Sequence, residues 1–169
     1  MKKTIFITCI LTVLFIQSIS AQELGDLYTQ RGFTMSMPRG WQTADVGVGY
    51  LQINGPQSGV FPPNIAFRDE DYSGPVSDYI DMMVGAFPRH ISNFRLLERS
   101  TFRTNSGVSG EFIIYQGTMG TGSVRQKMYV FPNRRGNAIM VITCTSPINA
   151  NERYDAIFDA AVRTFSWTR

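Results

Sequence analysis

Residues 110–145 read GEFIIYQGTMGTGSVRQKMYVFPNRRGNAIMVITCT, three β-branched and aromatic runs separated by turn residues. Gly110 to Thr118, Ser123 to Phe131 and Ala138 to Thr145 each have the length of a strand. The connections Gly120-Thr121-Gly122 and Asn133 to Asn137 are short and rich in residues that tolerate tight turns, so the runs fold back on one another as antiparallel hairpins. Working backward, Phe94 to Arg103 supplies a fourth strand across the turn Asn105-Ser106-Gly107. Phe33 to Met37 alternates and stops at Pro38, while Gly49 to Ile53 and Asn64 to Arg68 pair across a long Gly/Pro loop.

Two helices complete the pattern. Val76, Tyr79, Ile80, Met83 and Phe87 fall at helical spacing after Pro75, which suits a first helical position, and Pro88 ends the run. Tyr154, Ile157, Phe158, Ala161, Val162 and Phe165 line one face of a second helix. Asn149 with Glu152 three residues on has the spacing of a capping box, and Arg163 favours the helix's negative pole. Amphipathic helices and a meander of strands can bury their apolar faces only against each other. The expected fold is therefore α+β, a central mostly antiparallel sheet of about six or seven strands flanked by two main helices.

The chain has 169 residues with 16 Lys plus Arg, 13 Asp plus Glu, two cysteines and one histidine. That length buries a real core without metal or disulfide. Lys2 and Lys3 precede an apolar run from Ile5 to Ile16, followed by Ser20-Ala21, the layout of a secretory signal peptide. The organisation expected is a signal peptide over 1–21, a short leader over 22–30 and a single domain over 31–169, with an uncleaved membrane anchor as the alternative. Cys9 lacks the small residues and leucine that precede a lipid-attachment cysteine. A chain beginning at Gln22 keeps 14 basic against 13 acidic residues, net +1, which argues against nucleic-acid binding. It also keeps only Cys144, placed in an apolar run and expected to be buried, so no internal disulfide forms.

The stretch Gly32-Phe33-Thr34-Met35-Ser36-Met37-Pro38-Arg39-Gly40-Trp41 resembles the opening strand and Pro-x-Gly-Trp turn of the PsbP-like and DcrB-like superfamily. Gly107 to Tyr115, Arg125 to Val130, Ala138 to Thr145 and Tyr154 to Phe165 follow in that family's order, so the resemblance spans nearly all of residues 32 to 167. It implies an extracytoplasmic, noncatalytic protein with a central antiparallel sheet between helices, binding protein partners in membrane assemblies. Independently of the family, Pro38 stops the strand, Gly40 permits a positive φ and Trp41 folds back over the sheet edge.

No catalytic constellation emerges, and no cofactor or metal is expected. His90, the only histidine, follows Phe87-Pro88-Arg89 and reads as an exposed loop imidazole. Asp69-Glu70-Asp71 lacks the glycine and later glutamate of a calcium loop and reads as a solvated strand end. Gly47-Val48-Gly49 and the glycines from Gly117 to Gly122 lack the lysine of a phosphate loop and read as turns. Alternation from Phe94 places Arg95, Arg99 and Arg103 on one face, a candidate site for an anionic partner or a lipid headgroup, while Arg125 and Lys127 share a parity nearby. Phe61, in the loop Asn54 to Pro63, is a second candidate contact, unless that hairpin folds it inward. The reading is a noncatalytic secreted or periplasmic accessory protein with an envelope or membrane-associated protein partner and a possible peripheral lipid contact. A binder of lipid or a small amphiphile in a helix–sheet cleft, and an enzyme, are the alternatives. Intact-mass measurement of the exported protein is expected to give a chain starting at Gln22; a chain starting at Met1 would make it membrane-anchored.

Overall fold

The structure, a computed structural model, describes residues 24–30, 32–45, 51–57, 59–120 and 122–168. The expected cleavage site, Cys9 and Gly47-Val48-Gly49 lie outside them. The described chain runs β1 (Leu24–Gln30), β2 (Phe33–Pro38), β3 (Gln42–Asp45), β4 (Leu51–Asn54), β5 (Asn64–Asp71), α1 (Val76–Ala86), β6 (Ser92–Arg103), β7 (Ser109–Met119), β8 (Gly122–Pro132), β9 (Ala138–Pro147), α2 (Asp155–Arg163) and β10 (Ser166–Trp167). Seven strands form one antiparallel sheet in the order β3-β4-β5-β9-β8-β7-β6, and a small sheet is ordered β1-β2-β10.

Strand β8 shows why the sheet must be covered on both faces: every residue from Val124 to Phe131 is buried. Such a strand cannot leave one side in water, unlike a half-exposed antiparallel strand with simple alternation. On one face Ile113, Tyr115, Met128, Val130, Ile139 and Val141 pack with Tyr79 and Ile80 of α1. On the other, Phe112, Ile114, Tyr129, Phe131, Met140 and Ile142 pack with Phe158, Ala161 and Val162 of α2 and with Tyr28, Phe33 and Met35 of the small sheet.

The α2 face also contains two cations. Arg125 makes a two-pronged pair with Asp155, at 2.6 and 3.2 Å, and Lys127 Nζ lies 2.7 Å from Asp159 Oδ1. Asp155 and Asp159 are four residues apart and so project from one side of α2, one turn apart, matching two β8 residues on one side of a strand. The Tyr129 hydroxyl also donates to Asp159, and the Lys127 ammonium sits 4.3 Å from the Phe112 ring centroid. The pair Arg125–Lys127, which shares a parity, is therefore a buried clamp on α2 and not a solvated sheet face.

Several other expectations are corrected. Leu24–Gln30, expected within a leader, is a strand: β1 pairs with β2 and places Tyr28 against Phe67, ring centroids 5.4 Å apart. Its pattern was obscured by Gly25-Asp26 and by a register shift between Leu24 and Leu27. Asn149 and Glu152 do not form a capping box: both lie in a 3₁₀ turn over Ile148–Tyr154, and no side chain caps α2. Pro75 sits one position earlier than expected, at the N-cap of α1, and Pro88 lies inside a 3₁₀ turn over Phe87–Arg89 that prolongs the helix. Trp41 does follow a positive-φ glycine, Gly40 at 78°, and its amide donates to Pro38 O. Its ring packs edge-on against Phe158 at 6.1 Å and 88°, burying it beside α2.

Cys144 is fully buried on β9, and burial pushes its thiol pKa well up. The thiolate is the reactive form, so a thiol reagent is expected to modify Cys144 only at the rate of unfolding; rapid modification without denaturant would contradict the burial. Removing one member of the clamp strands the other charge: Asp159→Ala is expected to cost about 3 kcal/mol, at the lower end for buried pairs because Asp159 is partly exposed. Lys127→Met in the same chain should recover most of that loss in urea melts. Burial, reinforced by Glu70, pushes Tyr79 up to about 12, and burial also raises Tyr115 and Tyr129. Because these pKa values are raised, the native chain retains protons that the unfolded one loses. Their contribution is intact below the unfolded value near 10 and drains away as pH rises toward 12. Thermal melts should show that loss, and Tyr79→Phe should reduce its slope.

Candidate partner-binding surface

Strand β6 is the twelve-residue end strand of the large sheet. Directly paired residues on antiparallel strands share a face, so the register assigns each β6 side chain a side. Arg95 pairs with Gln116, Leu96 with Tyr115, Glu98 with Ile114, Arg99 with Ile113 and Arg103 with Ser109, with register shifts between Ser92 and Arg95 and between Leu96 and Glu98. The second shift is a bulge with Leu97 as the extra residue, and it reverses the parity of the strand. Arg95 therefore faces the α2 side, while Arg99 and Arg103 face the α1 side. The continuous arginine stripe expected from alternation does not form.

The three arginines also have different work. Arg99 donates to Glu111 Oε2 at 3.0 Å, to Asp81 Oδ1 at 2.5 Å and to the Ser77 carbonyl at 3.2 Å. The bonds to Asp81 and Glu111 raise its pKa, and all three join the end strand and β7 to α1. The Arg103 carbonyl accepts from Arg163 of α2 at 3.4 Å. Arg95 donates to Gln116 at a long 3.4 Å from an exposed position.

Arg95, Leu97, Glu98, Gln116, Arg125 and Glu152 border a shallow cleft of about 440 Å³, open to solvent beside the start of α2. Both charge signs occur on its rim. Leu96 and Leu97, 39% and 36% exposed, stand at the bulge on the free edge of the sheet. Of these residues only Arg95 was legible as a candidate in the sequence. The bulge had one readable trace nearby, Asn93 with φ of 54°, since asparagine tolerates the left-handed region better than most residues.

The remaining candidates separate. Phe61 is half-buried, its ring 3.6 Å from where a Gly122 side chain would begin, so it turns toward the β7–β8 connection; the exposed residue at that tip is Val60. His90 is exposed after the 3₁₀ turn, where its amide donates to Phe87 O at 2.9 Å. Within Asp69-Glu70-Asp71, Glu70 is engaged by Arg68 and by the Tyr79 hydroxyl at 2.9 Å, a structural tie between β5 and α1 rather than a fully solvated end. Among the described residues no three His, Cys, Asp or Glu side chains converge on a metal position, and no helix is long and apolar enough to cross a membrane. On the α1 face, Met83, Phe87, Met119 and Met128 border a further cleft of about 270 Å³, also open to solvent.

No family model matches the chain, and no curated protein does. Solved structures do. Cyanobacterial PsbP from Synechocystis aligns at TM-score 0.59 and 14% identity, over 89% of this chain and 96% of that one. The Ran-binding protein Mog1p of Saccharomyces cerevisiae aligns at 0.57 and 12%, over 80% and 89%. LpqN of Mycobacterium tuberculosis, involved in cell envelope biogenesis, aligns at 0.55 and 15%, over 83% and 87%. At these identities the likeness is one of fold.

Arg99→Gln is expected to lower the melting temperature by about 2–4 °C, because it removes two exposed ion pairs together worth about 1 kcal/mol. Arg95→Gln should leave the melt unchanged. Equal effects from the two would contradict their assignment to different faces.

Proposed function

We propose that this chain, which has the PsbP-like fold, is a noncatalytic extracytoplasmic binding module whose protein partner engages the free edge of β6. The observation that carries the proposal is that a twelve-residue end strand presents Leu96 and Leu97 to solvent beside a cleft edged by Arg95 and Glu98. An end strand carries outward main-chain groups that another chain can pair with, and side-chain pockets beside it give specificity. The bulge and the flanking charges restrict indiscriminate pairing, which is how natural sheets keep an open edge soluble. Export rests on the Lys2-Lys3 and apolar leader, and the envelope partner on the resemblance of the chain to extracytoplasmic proteins. A fold shared with a Ran-binding protein and with a protein of envelope biogenesis supports a protein partner and an envelope setting. Arg103 and the Val60–Phe61 tip lie away from this cleft and serve as comparison positions.

The experiment is the double variant Leu96→Asp, Leu97→Asp, checked by circular dichroism and melting, with partner capture from envelope extracts measured beside a His90→Ala variant. An apolar anchor at an interface centre contributes about 2 kcal/mol or more, so capture should weaken by about 30-fold or more, while His90→Ala behaves as the parent chain. Undiminished capture by the double variant would overturn the β6 assignment, and loss of function from His90→Ala alone would favour an enzyme.

A further inference from the structure

Along the free edge of β6 the residues run Phe94-Arg95-Leu96-Leu97-Glu98-Arg99. In a regular strand Arg95 and Glu98, three residues apart, point to opposite faces. Here the bulge at Leu97 brings them to one face. Arg95 pairs with Gln116 and Glu98 with Ile114, both turned to the α2 side, and both border the cleft of about 440 Å³ there. Neither forms an ion pair among the described residues: Arg95 donates at a long 3.4 Å to the neutral Gln116, and the Glu98 carboxylate makes no hydrogen bond to another described residue. Leu96 and Leu97 stand between the two charges, 39% and 36% exposed.

Two antiparallel strands related by a two-fold axis perpendicular to the sheet keep their faces, so each residue meets one of its own face across the axis. An axis between Leu96 and Leu97 places Arg95 opposite Glu98 of a second copy, and Glu98 opposite that copy's Arg95, giving two ion pairs on the α2 side. Leu97 and its counterpart lie between those pairs, while Leu96 and its counterpart lie on the α1 side. Phe94 and Arg99, which both face α1, come opposite each other in the same register. Other centres are unfavourable. An axis at Arg95 or at Arg99 sets that arginine against its own copy, and like charges directly opposite are destabilising. The match ends at Asn93, where the register shift before Arg95 and a φ of 54° turn the strand.

We infer that β6 pairs with β6 of a second copy of this chain, in the antiparallel register that joins Arg95 to Glu98 in both directions. The pairing makes one continuous sheet of two seven-stranded ones and covers Leu96 and Leu97. The contact is the stretch Phe94–Arg99 on each chain, against roughly 20–30 residues a side in a standard interface, so the dimer is weak, with a Kd on the order of 100 µM. The same edge is the one assigned above to the envelope partner, and self-pairing keeps it closed until a tighter partner displaces the copy. The dimer itself does not depend on that partner.

The test is sedimentation equilibrium of the purified exported chain from about 10 µM to about 1 mM, which should show a monomer–dimer equilibrium that weakens as salt is raised. Arg95→Glu and Glu98→Arg each turn both ion pairs into like-charge contacts. Either should weaken self-association by about tenfold or more, with the fold checked by circular dichroism. Mixing the two variants restores both pairs, so an equimolar mixture should dimerise at about the parent's affinity although neither component does. General loss of stability gives no such complementation. A chain that stays monomeric throughout that range overturns the inference, as does a dimer that neither substitution weakens or that the mixture fails to restore. Because the purified chain is measured without extract, the two proposals fail separately. A monomer that still captures an envelope partner refutes self-pairing alone, and a dimer that captures nothing refutes the partner alone.

Discussion

Two cations buried on β8 fix where everything on that side of the sheet can go. Arg125 and Lys127 lie under α2 with 8% and 5% of their side chains exposed, and a charge so placed is tolerated only when paired. Asp155 and Asp159 meet that need one helical turn apart, which sets both the rotation and the height of α2 over the strands. With α2 so placed, Phe158, Ala161 and Val162 are carried onto the sheet, Trp41 closes against Phe158, and the chain emerges at Phe165 so that Ser166–Trp167 can join β2. Such a pair contributes less to net stability than to singling out one docking arrangement, since apolar residues of similar size would pack there at no greater cost. The opposite face needs no such device, because α1 is held by Tyr79 on Glu70 and by Asp81 on Arg99 at its margins.

Coverage of both faces decides which surface remains for a partner. The small sheet and α2 occupy one side, and α1 occupies much of the other. At the ends of the large sheet, β3 is four residues long while β6 is twelve. The longer edge is thus the principal run of main chain open to an added strand, and its bulge places Leu97 and Arg95 on the α2 side where the charged cleft lies. The proposed binding role therefore rests on this edge.

The strands from Gly110 to Thr145 and the stripe of α2 were legible because their apolar periods are long and their turns are marked by glycine and asparagine. The resemblance carried by Pro38-Arg39-Gly40-Trp41 agrees with the fold. Residues whose side is set by pairing rather than by local period were not legible. The Leu97 bulge inserts one residue without a compositional sign, and a single insertion reverses every side chain beyond it. Likewise Arg125 and Lys127 look like a polar face until α2 supplies Asp155 and Asp159, some 30 residues away. Strand β1 was obscured by Gly25-Asp26, and β10 is too short to show a period.

The most direct test of a partner at the β6 edge is photo-crosslinking in intact cells from single positions, with mass spectrometry of the products. A benzophenone side chain at Leu97 should capture a defined polypeptide, whereas the same group at Met82, exposed on α1, or at Val60, exposed at the loop tip, should capture little. Strong capture from Met82 or Val60 with none from Leu97 would contradict the account and move the partner to another face of the molecule.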